Sequence, residues 1–212
     1  MTELTVLQAI RLKGRASPVD LAATLGEDLA EIIKTVEQLG AAGLLIEDTT
    51  LRISPRGRAR LHALLDEERK GVDSAVLTAA YHDFRSVNND FKVLVTDWQL
   101  KGGAGGQPNT HEDAEYDSAV LARLERVHEQ VVPIIAAAAT QLPRLSTYPA
   151  KLRTALDKVK VGEIAWLARP LIDSYHTVWF ELHEELILAV GLTREGRNSA
   201  LDFIVMAWVD RA

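Results

Sequence analysis

The sequence predicts a mostly α-helical chain in two parts. A compact helix–helix–hairpin–helix unit covers residues 1–68, and an antiparallel bundle of about four helices covers 69–212. Three observations carry this reading. Between residues 17 and 61 two short capped helices precede a pair of strand-like pieces. Beyond Ala63 apolar residues recur at helical spacing with no strand pattern. A glycine-rich run at 101–113, then Pro143 and Gly162, cut that remainder into lengths suited to a bundle.

The first unit is read from its punctuation. Ser17-Pro18-Val19-Asp20 is a helix start, with a hydroxyl at the cap, proline at the first helical position and a carboxylate at the third. Leu21, Ala22 and Leu25 form its apolar face before Gly26. A second helix carries Leu29, Ile32, Ile33, Val36 and Leu39 and ends over Gly40 to Gly43. Leu44-Leu45-Ile46 and Leu51-Arg52-Ile53, joined across Glu47 to Thr50, make a hairpin. Ser54-Pro55 then caps a helix bearing Ala59, Leu61, Leu64 and Leu65. Arg11, Lys13 and Arg15 are read as a basic loop ahead of this block. Helix, helix, hairpin, helix is the order of a winged helix-turn-helix, a unit that most often grips nucleic acid.

Two stretches of this block, Ala42-Gly43-Leu44-Leu45 and Leu51 to Ala59 (Leu-Arg-Ile-Ser-Pro-Arg-Gly-Arg-Ala), carry a family likeness. Over about the first third of the chain it resembles the MarR-like winged-helix regulators. The resemblance implies the fold and, through it, DNA binding, although winged helices also serve as protein-interaction modules. On that reading Lys34 and Gln38 of the second helix reach base edges, and Arg52, Arg56, Arg58 and Arg60 dock phosphates. The four arginines fall in nine residues that contain no acid. The same helix also offers Glu27, Asp28, Glu31 and Glu37, a poor face for a phosphate-lined groove. Modest sequence specificity and a module that no longer reads DNA therefore both stay open.

Composition sets the outer bounds. The 212 residues, 47% hydrophobic and 25% charged, are those of an ordinary globular protein with room for a real core. Absence of cysteine rules out disulfides, thiol catalysis and cysteine metal sites, and suits a cytoplasmic location. The first residues lack a basic segment followed by an apolar run, so no secretion signal is expected, and no stretch reaches the ~18 apolar residues of a membrane span. A net charge of −6 counts against a wholly basic nucleic-acid binder but allows a local basic edge. No cofactor is implied.

The helical remainder is read helix by helix. Residues 73–101 carry Leu77, Tyr81, Phe84, Asn88, Phe91, Val95 and Trp98 at alternating four- and three-residue spacing, the period of a bundle seam. Residues 101–113 are a flexible connection, since no Gly-Lys-Ser/Thr follows the glycines. A second helix over 113–141 points Val120, Leu124, Val127, Val131, Ile134 and Ala138 inward, with Pro133 inside it. A basic helix over 149–161 holds Lys151, Arg153, Lys158 and Lys160. A last long helix over 163–190 points Ile164, Leu171, Tyr175, Val178, Leu182 and Leu186 inward. The apolar tail 201–209, with Trp208, is expected to pack.

Chemistry-bearing residues concentrate in Asp173 to Glu185. His176, Trp179 and His183 share one flank, with Glu181 and Glu185 on the other. The two histidines stand about 10.5 Å apart along a helix axis, too far to chelate one metal. Glu125-x-x-His128 and Asp173-x-x-His176 imitate di-iron ligands, but both carboxylates point away from the expected core. Asn88 is a polar amide at a seam position and must be paired if buried. With Tyr81, Trp98, Tyr175, Trp179, His176 and His183, it is read as the wall of a ligand cavity between the first and last long helices. The competing reading is an aromatic core with one hydrogen-bonded amide.

Asn88-x-x-Phe91-Lys92, Thr96-Asp97-Trp98-Gln99 and the run Asp173 to Glu184 also resemble a group of actinobacterial proteins with no assigned activity. That likeness spans nearly the whole chain and implies that its two parts act together. The expectation is a DNA-binding regulator acting as a homodimer, with a bundle that dimerises, senses a small-molecule effector, or both. The alternatives are a partner-binding winged helix, and an enzyme using His176, His183 and Glu181.

Overall fold

The computed structural model describes residues 2–170 and 172–192. Leu171 and the tail with Trp208, both expected to be inward, lie outside the described residues. The molecule is mostly helical, with two short two-stranded sheets among the described residues. It divides into two compact units, Met1–Val72 and Asp73–Ala212, a boundary four residues beyond the one expected after residue 68. Among the described residues no helix is long and apolar enough to cross a membrane.

The first unit opens with a helix that the sequence reading had taken as a loop. Helix α1 (Glu3–Lys13) is capped by Thr2 and buries Val6, Leu7 and Ile10, so Arg11 and Lys13 belong to its last turn. The four- and three-residue spacing from Val6 was there to be seen, hidden by the polar residues around it. Helix α2 (Pro18–Leu25) begins with the predicted Ser17 cap, its hydroxyl and Asp20 bonding reciprocally. Helix α3 (Leu29–Ala41) starts at Asp28, whose carboxylate takes the Ala30 and Glu31 N–H groups. It buries Ile32, Val36 and Leu39, whereas Leu29 and Ile33, expected inward, are 39% and 40% exposed.

Strands β1 (Leu45–Glu47) and β2 (Leu51–Ile53) pair antiparallel, Leu45 opposite Ile53. Ala16 adds a third rung, exchanging hydrogen bonds with Leu51 at 3.2 and 2.9 Å. Helix α4 (Pro55–Lys70) is fastened at its start: the Ser54 hydroxyl donates to the Gly43 carbonyl at 2.8 Å and accepts from the Gly57 N–H at 2.9 Å. Gly57 lies so close to the hairpin that a Cβ there would stand 2.0 Å from the Leu44 carbonyl oxygen. Only glycine fits that approach.

In the second unit helix α5 (Ser74–Gln99) buries all seven predicted seam residues. The expected loop after it is ordered by a two-residue hairpin, β3 (Leu100–Lys101) with β4 (Gln107–Pro108). Helix α6 (Ala114–Ala139) returns antiparallel, because Asp73 bonds Gln141 at one end and Asn109 bonds Trp98 and Asp117 at the other. Its exposed Pro133 is accommodated within the helix, and Ile135 rather than Ile134 is buried beyond it.

A 3-10 turn at Pro143–Thr147 leads into α7 (Tyr148–Lys160), close to prediction. The predicted last helix is instead two. Helix α8 (Ala165–Ala168) ends at Arg169, whose ψ of 127° is the extended conformation a following proline enforces. Helix α9 (Tyr175–Ala189) restarts at Ser174, which caps the Thr177 N–H. Ile164, placed inward by the single-helix reading, is 46% exposed for this reason. Helices α5, α6, α7 and α9 form the bundle, with α9 packed on both α5 and α7.

Candidate functional site

The outward face of α3 follows from its buried one. With Ile32, Val36 and Leu39 marking the core, ~100° per residue places Lys34 almost diametrically outward. Ala30, Gln38 and Ala41 lie beside it, and all four are exposed. The small alanines leave room for close approach, and Lys34 and Gln38 stand one turn apart. Glu31 and Glu37 flank this line rather than occupy it. Asp28 is spent on its cap, which leaves Glu27 free at the helix start.

The arginines divide. Arg56 and Arg58 are exposed on the first turn of α4, and Arg52 is half-buried on β2. Arg56 reaches back over Gly43, where the chain leaves α3. Arg60 is a correction to the expected phosphate-binding set. Its Nε and Nη2 donate to the Glu3 carboxylate at 3.0 and 2.8 Å, a bidentate pair that turns it toward α1. The hairpin tip is acidic, with Glu47 and Asp48 both exposed.

In the bundle, Trp179 is the hub. Its ring lies 4.3 Å from Phe91, 5.1 Å from Phe84 and 6.0 Å from Tyr175, centre to centre. Its indole N–H donates to Asn88 Oδ1 at 2.9 Å, so the seam amide is buried and paired as anticipated. Tyr81 stacks on His183 at 6.4 Å and Phe91 faces His176 at 6.1 Å. Tyr81, Asn88, Tyr175, His176, Trp179 and His183 are therefore brought together. Trp98 is not: it sits near the far end of α5, its ring 4.4 Å from His111. The expected aromatic-walled cavity is replaced by rings packed on one another, because Tyr81, Phe84 and Phe91 of α5 each meet a ring on α9.

Electrostatics in this core follow from burial. Apolar surroundings push His176 down to about 4 and lower His128 as well, the latter helped by the charge of Arg153. His128 Nδ1 stands 3.3 Å from the Tyr175 hydroxyl, whose own ionisation burial raises out of reach. A His176 so weakly basic is neutral near pH 7 and makes a poor proton acceptor, which weighs against the enzymatic reading. Glu181 and Glu185, expected on the flank opposite the histidines, are buried because α7 and α8 pack against α9. Glu185 forms an enclosed ion pair with Arg144. Burial and these carboxylates raise the Tyr148 hydroxyl. Glu125 is held at the surface by Lys160 at 2.6 Å, as the outward placement of that carboxylate predicts. Among the described residues no three His, Asp or Glu side chains gather closely enough to hold a metal.

Sequence reasoning missed one further group. The Asn109 amide donates to the Trp98 carbonyl at 3.1 Å and to Asp117 Oδ1 at 2.8 Å, and His111 Nδ1 meets Asp117 Oδ2 at 2.9 Å. Reading 101–113 as a flexible link concealed it; Asn-x-His ahead of an Asp on the next helix was the available signal. Comparison of the chain with protein-family models, with curated proteins and with solved structures finds no match.

Proposed function

We propose that the N-terminal unit is a winged helix-turn-helix that binds duplex DNA, and that the chain is a cytoplasmic transcriptional regulator. The observation that carries this reading is the line Ala30–Lys34–Gln38–Ala41, turned away from the core on the helix that precedes the hairpin. Lysine suits guanine O6 and N7, and glutamine suits adenine N6 and N7, in the major groove. Arg52, Arg56 and Arg58 supply phosphate contacts. The bundle then holds two copies together on a palindromic site, its packed aromatic core favouring a dimerising role over effector sensing.

Binding to random duplex as a function of salt tests the proposal. Each phosphate contact removed lowers the log–log slope by about 0.9, so Arg56→Ala with Arg58→Ala flattens it by nearly two units. Lys34→Ala shifts preference among sequences instead. No binding at ~50 mM salt, where phosphate contacts are little weakened, overturns the reading. A second reading then stands on a specific observation: Leu29 and Ile33 are exposed on α3 among Glu27, Glu31 and Glu37, a surface suited to a basic, partly apolar protein segment.

A further inference from the structure

We infer that His111 is a nucleophilic imidazole, oriented by Asp117, that takes an acyl group from neutral activated esters. The assignment begins with the proton. The carboxylate of Asp117 accepts only, so at 2.9 Å the hydrogen lies on His111 Nδ1. The Asn109 amide nitrogen also stands 3.3 Å from Nδ1, but its two hydrogens go to the closer acceptors, the Trp98 carbonyl at 3.1 Å and Asp117 Oδ1 at 2.8 Å. The lone pair is therefore on Nε2. That atom has no hydrogen-bond partner among the described residues and is not enclosed, the side chain being 24% exposed beside an Asp117 that is 14% exposed.

Two features show that this imidazole is held in place. Its ring lies against Trp98 at 4.4 Å. Its backbone is left-handed, with φ of 60°, the one such non-glycine residue among those described, and Asn109 Oδ1 secures it by accepting the His111 N–H at 3.2 Å. A non-glycine residue keeps that conformation only where its surroundings enforce it. Nucleophile, orienting carboxylate and a third group fixing both is the arrangement that activates a side chain for covalent catalysis.

The surroundings choose the electrophile. A polar cleft of about 500 Å³ opens along the same segment, lined by Lys101, Gln107, Asn109, Thr110, Glu112 and Asp113. Lys101 is paired with Asp113, so Glu112 and Asp117 leave the neighbourhood negative. Such a field repels a phosphoryl dianion and tolerates an uncharged ester. Nε2 adds to the ester carbonyl, the carbon–oxygen bond to the leaving group breaks, and the alkoxide or phenolate departs. The acyl-imidazolium charge is offset by Asp117. Water then cleaves the nitrogen–acyl bond, giving the acid and a neutral His111; the sum is ester plus water to acid plus alcohol.

The full chain with p-nitrophenyl acetate provides the test. The expected result is a burst of nitrophenolate with an acetyl adduct on the peptide carrying His111. His111→Asn, which suits the left-handed backbone, removes both while the circular dichroism is kept. Asp117→Asn slows acylation at least about tenfold and moves the imidazole proton to Nε2, read from the ¹⁵N shifts of labelled histidine. Acetylation shared equally with the exposed His62 and His82, or a wild-type His111 protonated on Nε2, overturns the inference.

Discussion

Trp179 donates its indole N–H to Asn88 Oδ1 at 2.9 Å, linking the middle of α5 to the middle of α9 inside a stack of rings. Asn88→Leu strands that donor in an apolar core. The expected loss is about 1–3 kcal/mol of stability, measured by urea unfolding. A double-mutant cycle with Trp179→Phe isolates the bond, because the second change removes the donor. Equal costs for Asn88→Leu in both backgrounds show that the bond contributes nothing.

Arg144 and Glu185 form an enclosed pair between the 3-10 turn and α9. Arg144→Met removes the guanidinium from this buried pair and costs about 3–5 kcal/mol. Adding Glu185→Leu recovers most of that, since a buried pair replaced whole by apolar groups is close to neutral. Thermal unfolding of the two variants decides, and a double variant as unstable as the single one refutes the account.

Acid weakens the second unit through its buried imidazoles. His176 is pushed down to about 4 and His128 is lowered. Both stay neutral in the fold while the unfolded chain takes up protons below about pH 6.5, so their contribution is full above that value and is lost as pH falls toward 4. The unfolding midpoint in urea therefore drops between pH 7 and 5. His176→Leu lessens that drop, and an unchanged pH dependence in this variant removes His176 from the explanation.

Gly57→Ala sets a methyl group 2.0 Å from the Leu44 carbonyl oxygen. Backbone cannot yield as a flexible side chain does, so the hairpin and α4 separate, at a cost of about 1–3 kcal/mol. Alanine is otherwise the better helix former, which makes the sign of the change informative. A variant as stable as the parent shows that the two elements do not approach so closely.

Local rules were legible in the sequence. Ser17 and Ser54 cap where their side chains can reach free N–H groups, and those bonds span only three residues. The seam from Leu77 to Trp98 is equally local, since its period alone sets its face. Pro170 lies inside the helix predicted over 163–190, and the extended Arg169 before it shows the local rule prevailing over apolar periodicity. Four of the expected DNA-facing side chains, Lys34, Gln38, Arg56 and Arg58, are exposed for the same local reason, the direction in which their helices face inward.

What only the tertiary structure decided is pairing between distant residues. Arg60 counts as a free cation in sequence until Glu3, 57 positions away, takes its guanidinium. Aromatic residues at seam positions predict a core or a cavity equally well, and the ring-to-ring distances across α5 and α9 settle it as a core. Glu185 is only a carboxylate on a helix flank until Arg144 encloses it, and Asn109, His111 and Asp117 converge only in the folded chain. Helix periodicity is a property of a few neighbouring residues, whereas burial and charge pairing depend on which surfaces meet, and that is fixed only when the chain folds.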